Sequence, residues 1–247
     1  MFSPISLTEL NATASFLDRI DTKYLMTEQK FMDVIKDMKE DFFVLEIGGK
    51  SVFEYDSIYM DTEGYDFYFD HQNKSALRSK VRTRKYIDSN IAFFEYKQKE
   101  GKLLRKFRFE MDTKDHGKMT EAAQKFYEEI YGNFYGEEKP KKIFPSLITH
   151  CNRLTLCSKD SAERVTIDFN IWTEDLREEK KKKEFHNAVI VESKSSTADG
   201  KIAKIMAKNK VEKASGCSKY CLGLLYTGIF KNPGKFEDTM KKLDAMS

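Results

Sequence analysis

Lysine and arginine recur at alternate positions in three consecutive stretches of this sequence. They are Arg82 and Arg84, then Lys97 and Lys99, then Lys106 and Arg108. Because side chains on a β-strand alternate between its two faces, each pair shares one face of its strand. Arginine grips phosphate with a planar fork and lysine acts as a mobile point charge. The spacing therefore predicts strands whose common face has the chemistry of an anion site.

Two later strands repeat the pattern and add carboxylates. Alternation places Asp168 and Asn170 on the face of Arg164, with Ile171 opposite, and it places Glu192 beside Lys194. If these faces converge, they bring eight cations together with four carboxylates, Glu95, Glu110, Asp168 and Glu192. Burying unpaired cations costs several kcal/mol each, and a polyanion, water and a divalent metal would relieve that cost. We predict a tunnel that holds a chain of phosphates, although a polar face turned to water remains open for any one strand.

A closed sheet with a charged interior needs helices over its apolar exterior. The sequence supplies candidates at 27–40, where Thr27 is the predicted N-cap, and at 118–135, 199–214 and 232–247. An alternating segment also places Arg19, Asp21 and Lys23 on one face, and the mixed charges from Arg177 to Glu184 predict a solvated hairpin tip. The expected fold is α+β, an antiparallel β-barrel or tunnel with a basic lumen, covered by helices.

Composition narrows the class of protein. With 247 residues, 34% of them charged, and a net charge of +3 spread along the chain, we expect one domain over 1–247, with a core at about 19–230 and a tail at 231–247. The absence of a concentrated basic segment argues against nucleic-acid binding. No run of about 18 apolar residues occurs and no leader pattern opens the chain, so we expect no intrinsic membrane segment and a cytoplasmic location. The four cysteines have no metal-site spacing and are expected to be free thiols.

An ordered set of short motifs carries a family resemblance from about Asp21 to Gly223. The set is Asp21-x-Lys23-Tyr24, Tyr59-x-Asp61, Arg82-x-Arg84, Glu95-x-Lys97, Lys106-x-Arg108, Asn152-Arg153, Arg164 to Asp168, Val191 to Lys194, and Ser218-Lys219-Tyr220-x-x-Gly223. Each motif is weak alone, but nine in order resemble the VTC domain. This is the polyphosphate polymerase branch of the triphosphate tunnel fold, to which CYTH proteins also belong.

The resemblance implies transfer of the terminal phosphate of ATP to a growing inorganic polyphosphate chain, with Mn²⁺ or Mg²⁺. The implied catalytic residues, which would grip phosphates, are Lys23, Arg82, Arg84, Lys97, Lys106, Arg153, Arg164 and Lys219. The implied substrate-binding residues are Lys99, Arg108, Lys194 and Ser218. The implied metal ligands are Glu192 first, with Glu95 and Asp168 as partners. ATP and polyphosphate are the expected partners.

Departures from the family pattern leave other functions open. The eukaryotic polymerases carry a histidine where this chain has Lys99, and a tyrosine where it has Cys151. CYTH-type hydrolases begin with two or more alternating glutamates that hold metal near an attacking water, whereas this chain has only Asp21 before Lys23. That shortage favours phosphate transfer over hydrolysis of a triphosphate. A non-catalytic polyphosphate-binding module is the third reading.

Overall fold

The structure is a computed structural model and describes residues 2–13, 20–101, 103–136, 139–177 and 180–246. Arg19, expected beside Asp21 and Lys23, lies outside these residues. The strands are β1 (Ser3–Ile5), β2 (Ile20–Thr27), β3 (Phe42–Leu45), β4 (Val52–Thr62), β5 (Leu77–Tyr86), β6 (Ile91–Glu100), β7 (Leu103–Met111), β8 (Ile143–Ser158), β9 (Glu163–Asp175), β10 (Lys182–Phe185) and β11 (Ala188–Ser195). The helices are α1 (Leu7–Thr13), α2 (Glu28–Met38), α3 (Asp66–Gln72), α4 (Glu121–Tyr135), α5 (Lys201–Lys208), α6 (Lys219–Tyr226) and α7 (Glu237–Asp244).

The strands form one curled sheet in the order β2-β11-β9-β8-β4-β5-β6-β7. All neighbours on this path are antiparallel, and a parallel pair of β1 with β3 extends the sheet beside β8. Within the described ranges, no ladder joins β2 to β7, so the sheet is a half-barrel with two edges. The predicted fold class is confirmed, but the expected hydrogen-bonded closure is not present in the part of the chain described.

The strand register brings the predicted cations onto one concave face. Arg82 on β5 lies opposite Glu95 on β6, and Lys97 on β6 lies opposite Lys106 on β7. At the other side of the sheet, Glu192 on β11 lies opposite Lys23 on β2. Side chains directly opposite each other share a face, so the alternation in the sequence carries through the sheet.

Aromatic packing of α4 covers the convex face of β5, β6 and β7, as the sequence predicted. Phe94 and Phe109 both contact Phe126 of the helix, with ring centroids 6.0 and 5.0 Å away. Tyr96 is stacked on Tyr127. Helices α2 and α5 cover β2, β9 and β11 in the same way through buried aliphatic side chains. Burial of these apolar groups fixes which face of the sheet turns outward.

Helix α6 differs from the others because it packs on the concave face. Tyr220 is stacked on Tyr59 with centroids 4.9 Å apart, and Lys219 contacts Asp168. Helix α6 therefore fills part of the interior, where the sequence had led us to predict no helix.

A bulge corrects the predicted alternation on β9. The register between β8 and β9 shifts next to Cys151, and Asn170 takes a left-handed φ of 50°. The extra residue turns Asn170 out to solvent and brings Ile171 into the core cluster that contains α6. Our assignment of Asn170 to the inner face and Ile171 to the outer face was wrong, because alternation fails across a bulge.

Tertiary contacts also corrected two local predictions. The helix expected to reach Ala214 ends at Lys208, because the chain turns at Lys210 (φ 56°) and the Ala214 amide donates to the Lys23 carbonyl beside β2. Arg177 was expected at a solvated tip, but it is half-buried and donates to main-chain carbonyls that include those of Asp61 and Thr62. The predicted N-cap is confirmed, since Thr27 accepts a hydrogen bond from the Lys30 amide.

A search of the described helices for a membrane-crossing segment found none with the required length and apolar character.

Candidate functional site

A cavity of about 350 Å³ lies along the concave face, and we call it the central cavity. It is lined by eleven of the fifteen predicted site residues, namely Lys23, Arg82, Arg84, Lys97, Lys99, Arg153, Asp168, Glu192, Lys194, Ser218 and Lys219. Among the described residues, ten lysines and arginines line it but only three carboxylates, Asp21, Asp168 and Glu192. This excess of positive charge favours a polyanionic ligand.

A second cavity, of about 340 Å³, adjoins the first and holds three more predicted residues, Lys106, Arg108 and Arg164. Because Arg84, Arg153 and Lys194 line both cavities, they mark the place where the two meet. Arg164 donates to the carbonyl of Leu10 at 2.6 Å, so α1 forms part of this wall. Arg164 thus lies beyond the central cavity.

A third cavity, of about 420 Å³, adjoins the opposite side of the central cavity. The two share Lys23, Arg78 and Lys80, among other residues. The three cavities therefore follow one another along the inside of the half-barrel, and we call this series the passage.

Glu95 is fully buried, is absent from the lining of all three cavities and is clamped between two cations. Arg82 donates through Nε and Nη2 to one Glu95 carboxylate oxygen at 2.7 and 2.5 Å, and Lys106 contacts the other oxygen. Burial alone would raise the pKa of Glu95, but Arg82 and Arg84 hold that pKa well below its usual range. Burial also lowers the pKa of Lys106 to about 8, although Glu95 opposes that shift.

Asp168 has the same arrangement on the opposite wall. Arg153 grips both carboxylate oxygens through Nε and Nη2, at 2.6 and 2.7 Å, and Lys219 contacts one of them. Burial would raise the pKa of Asp168, but Arg153 and Lys219 hold it well below its ordinary value. This two-pronged geometry is the strong form of an arginine–carboxylate pair.

Glu192 also lines the central cavity, but its carboxylate has different contacts from those of Glu95 and Asp168. Within the described ranges, no hydrogen bond or ion pair shorter than 4 Å joins its carboxylate to another residue. Lys23 lies opposite, but its Nζ donates to the carbonyl of Cys217 at 2.9 Å. Burial would raise the pKa of Glu192, yet Lys23 and Lys194 hold it well below normal, so the group stays ionised and open to the cavity.

Two lysines of the central cavity have lowered pKa values because burial is not offset by neighbouring negative charge. Burial and the neighbouring Arg82 hold the pKa of Lys97 well below its ordinary value. Burial also lowers the pKa of Lys80, whose Nζ donates to Ser218 Oγ at 3.1 Å. A bound anion would reverse both shifts, because a nearby negative charge favours the protonated form.

The sequence analysis missed Arg78, Lys80 and Tyr59 as lining residues. Strand β5 begins at Leu77, before the predicted pair Arg82 and Arg84, and Arg78 and Lys80 continue the alternation of that pair. Extending that alternation backward would have found both. The Tyr59 hydroxyl accepts a hydrogen bond from Arg82 at 3.1 Å, a contact that the motif alone did not reveal.

A buried contact between two of the motifs positions α6. The Tyr220 hydroxyl donates to Asp61 at 2.5 Å, and Asp61 also accepts amide hydrogen bonds from the first turn of α3. Burial raises the pKa of Asp61 to about 6. Gly223 completes the fit, because a Cβ at this position would overlap Leu147 and Thr173. These contacts hold Lys219, the first residue of α6, against Asp168.

The carboxylates present fit a metal that is held mainly by the substrate. Among the described residues, no group of three histidine, cysteine or carboxylate side chains forms a ready-made metal site. Mg²⁺ and similar hard cations often bind through one or two carboxylates while phosphates and water complete the shell. Glu192 is open to the central cavity and meets that requirement, whereas Glu95 and Asp168 already contact an arginine and a lysine.

Three solved structures are similar to most of this chain. An adenylyl cyclase candidate from Hippeastrum, described as having a dominant triphosphatase activity, gives a TM-score of 0.53 at 13% identity and covers 85% of this chain and 96% of its own. An adenylate cyclase candidate from Vibrio parahaemolyticus gives a TM-score of 0.46 at 12% identity and covers 83% of this chain and 97% of its own. A protein from Pyrococcus horikoshii gives a TM-score of 0.45 at 16% identity and covers 85% of this chain and 98% of its own.

A comparison with curated proteins gave no match. The family model described as the VTC domain matches residues 18–227. That range contains every strand of the path from β2 to β7 and the whole of α6. The resemblance inferred from the motifs is confirmed, and triphosphate tunnel proteins of this superfamily typically use divalent metals. This chain belongs to the VTC domain family of the CYTH-like triphosphate tunnel superfamily.

Proposed function

We propose that this protein is a polyphosphate polymerase that transfers the terminal phosphate of ATP to a growing inorganic polyphosphate chain. The observation that carries the proposal is the charge balance of the central cavity. Its cations far outnumber its carboxylates, and one of those carboxylates, Asp168, is already neutralised by Arg153 and Lys219. A row of phosphates fits a passage with this surplus of positive charge.

Phosphoryl transfer needs little covalent help from the protein, and its rate comes from alignment and charge neutralisation. In the proposed reaction, Arg84 and Arg153 bind phosphates at the junction of the first two cavities. Lys97 and Lys80 bind phosphates deeper in the central cavity, where a bound anion opposes the lowering of their pKa by burial. Lys219, held by α6, neutralises charge from the opposite wall.

Glu192 is the proposed ligand for Mn²⁺ or Mg²⁺, which when bound supplies positive charge that neutralises the phosphate oxygens. Glu95 and Asp168 are proposed to orient Arg82 and Arg153 and to act on the metal only through water.

Hydrolysis of triphosphates is the second candidate, because the Hippeastrum protein with the similar fold is described as a triphosphatase. Two features favour transfer. The ionised Glu192 has a pKa well below its usual range and is a weak base for activating water. His71, which is half-buried and lines the central cavity, is also a weak base, because burial and the neighbouring Lys80 lower its pKa to about 2.

The direct test is to incubate the purified protein with ATP and Mn²⁺, and to measure polyphosphate on gels and ADP by chromatography. We expect long chains with a matching amount of ADP. Glu192→Ala should reduce both products by at least about a hundredfold, on the scale of about 3 kcal/mol of lost transition-state stabilisation. Glu129→Ala, on the exposed side of α4, is the matched control and should retain activity.

The products separate the candidate functions. Free phosphate without chains would replace the proposal with triphosphate hydrolysis. Tight tripolyphosphate binding with neither product would indicate a non-catalytic binding module.

A further inference from the structure

The two ends of the passage have different chemistry. Leu7, Ile47 and Ile91 are large apolar residues that are 47%, 37% and 36% exposed, and all three line the second cavity. We call this end the apolar mouth. The third cavity instead ends at Lys74 and Lys235, and we call that end the basic mouth.

Aromatic rings form the wall between the apolar mouth and the central cavity. Tyr86 lies between Tyr55 and Phe93, with centroid distances of 4.7 and 5.7 Å. The guanidinium groups of Arg84 and Arg153 lie 5.7 and 5.0 Å from the centre of the Tyr55 ring. The same two arginines mark the junction of the cavities, so aromatic surface gives way there to phosphate-binding groups.

We propose that the second cavity binds the nucleoside of a nucleoside triphosphate, with its phosphates directed past Arg84 and Arg153 into the central cavity. This inference rests on the proposed function and deepens it by assigning a direction to the substrate. A nucleobase stacks on aromatic rings and buries apolar surface. The cavity volume, about 340 Å³, also lies within the roughly 300–1,000 Å³ typical of small-ligand sites.

Six lysines and arginines line the second cavity as well, but two exposed carboxylates at the apolar mouth disfavour the alternative, in which a free phosphate chain leaves there. The carboxylates of Glu54 and Asp88 line this cavity. Asp88 is fixed by the Lys50 ammonium at 3.0 Å and by the Glu54 amide at 2.8 Å. Polar groups at such a rim suit hydroxyl groups of a sugar better than a row of phosphates.

The basic mouth fits the phosphate chain instead. The aromatic lining of the third cavity among the described residues is limited to Phe236 and His71, and its five lysines and arginines stand against one carboxylate, Asp21. Burial lowers the pKa of Lys235 to about 8, and an anion bound beside it would favour its charged form. A nucleoside at one end and a growing chain at the other give the passage a defined polarity.

The test compares the affinities of ATP and inorganic tripolyphosphate by calorimetry, because the two ligands share three linked phosphates and differ in the nucleoside. Tyr86→Ala should weaken ATP binding roughly tenfold, the scale of one lost stacking contact, and should change tripolyphosphate binding less than about twofold. Phe144→Ala is the matched control, since Phe144 is 45% exposed and lines none of the three cavities. It should change neither affinity.

A second variant, Ile91→Ser, keeps the test valid if Tyr86→Ala does not fold. It should weaken ATP binding by roughly threefold, the scale of a partly lost apolar contact, and leave tripolyphosphate binding unchanged. Equal losses for both ligands, or no loss for ATP, would overturn the assignment. So would a selective loss of ATP affinity in Lys235→Ala, because that result would place the nucleoside at the basic mouth.

These measurements separate failure of this inference from failure of the proposed function. If Tyr86→Ala discriminates between the ligands but no chains form from ATP, the nucleoside site stands and polymerisation is wrong. If chains form but Tyr86→Ala and Ile91→Ser do not discriminate, polymerisation stands and this direction is wrong.

Discussion

The concave face holds two kinds of carboxylate, buried and half-buried, and the difference between them separates structure from chemistry. Glu95 and Asp168 are each gripped by an arginine and touched by a lysine. Glu192 is ionised and lies among cations, but no described residue makes an ion pair with it within 4 Å. Two carboxylates therefore fix the arginines in place, and the third is left to meet a ligand.

Strand register accounts for this difference. Arg82 lies opposite Glu95 and Arg153 lies opposite Asp168, so each carboxylate faces a planar fork across the ladder. Glu192 faces Lys23 on one side and Thr166 on the other. The lysine has turned its ammonium to a main-chain carbonyl, and threonine supplies no charge.

The largest effect should come from removing the arginine of a clamped pair. Arg82→Ala and Arg153→Ala should each lower the free energy of unfolding by about 3–5 kcal/mol, because each leaves a buried carboxylate without its main partner. Arg84→Ala is the matched control, since Arg84 lies on the same face but donates to Ser57 Oγ rather than to a carboxylate. Denaturant unfolding measures all three.

Glu192→Gln should lower the free energy of unfolding by less than Arg82→Ala does in the same experiment, because no direct ion pair is broken and only the longer-range attraction of Lys23 and Lys194 is lost. A loss as large as that of Arg82→Ala would mean that Glu192 is also a structural carboxylate, and the comparison would fail.

A smaller effect should distinguish the carboxylates by their response to metal. In Glu192→Gln, the affinity for Mn²⁺ in the presence of tripolyphosphate should fall roughly ten- to hundredfold, the scale of losing a group that supports a metal site. Asp168→Asn should retain most of that affinity, because Asp168 is occupied by Arg153 and Lys219. Titration calorimetry with Mn²⁺ measures both. Equal losses in the two variants would remove the special role of Glu192.

The smallest effect should be an uptake of protons by the protein when tripolyphosphate binds. Lys106 has a pKa lowered to about 8 in the free protein, and bound phosphate should raise that pKa by favouring the charged form. Binding of tripolyphosphate at pH 8 should therefore take up a fraction of a proton, and affinity should fall as the pH rises from 7 to 9. Calorimetry in two buffers of different ionisation enthalpy measures the uptake, which Lys106→Gln should reduce.

The stability of the ligand-free protein should depend on pH in the opposite direction to the affinity for tripolyphosphate. An unfolded lysine keeps its proton to about pH 10.4, so the unfolded chain binds more protons than the free native protein between pH 8 and 10. The contribution of Lys106 to the stability of the ligand-free protein should rise over that interval. Identical binding heats in both buffers would contradict the shifted pKa.

Local alternation predicted much of the site because neighbouring strands preserve it. The pairs at Arg82 and Lys97 lie on one face as expected, and continuing the same alternation would have found Lys80. It failed at Asn170, where a bulge inserts a residue and exchanges the faces. It also did not predict that α6 enters the interior, because the contact of Tyr220 with Asp61 joins segments 159 residues apart.

The sequence by itself determined the residue types, their two-residue spacing and the order of the motifs, and these were sufficient for the fold class and the family. It determined them because alternation and apolar burial act over a few residues. Only the tertiary structure decided which carboxylates are clamped. Strand register places Arg153 opposite Asp168, and the docking of α6 brings Lys219 to the same carboxylate. The tertiary structure also decided that the two mouths differ, because each is assembled from distant segments of the chain.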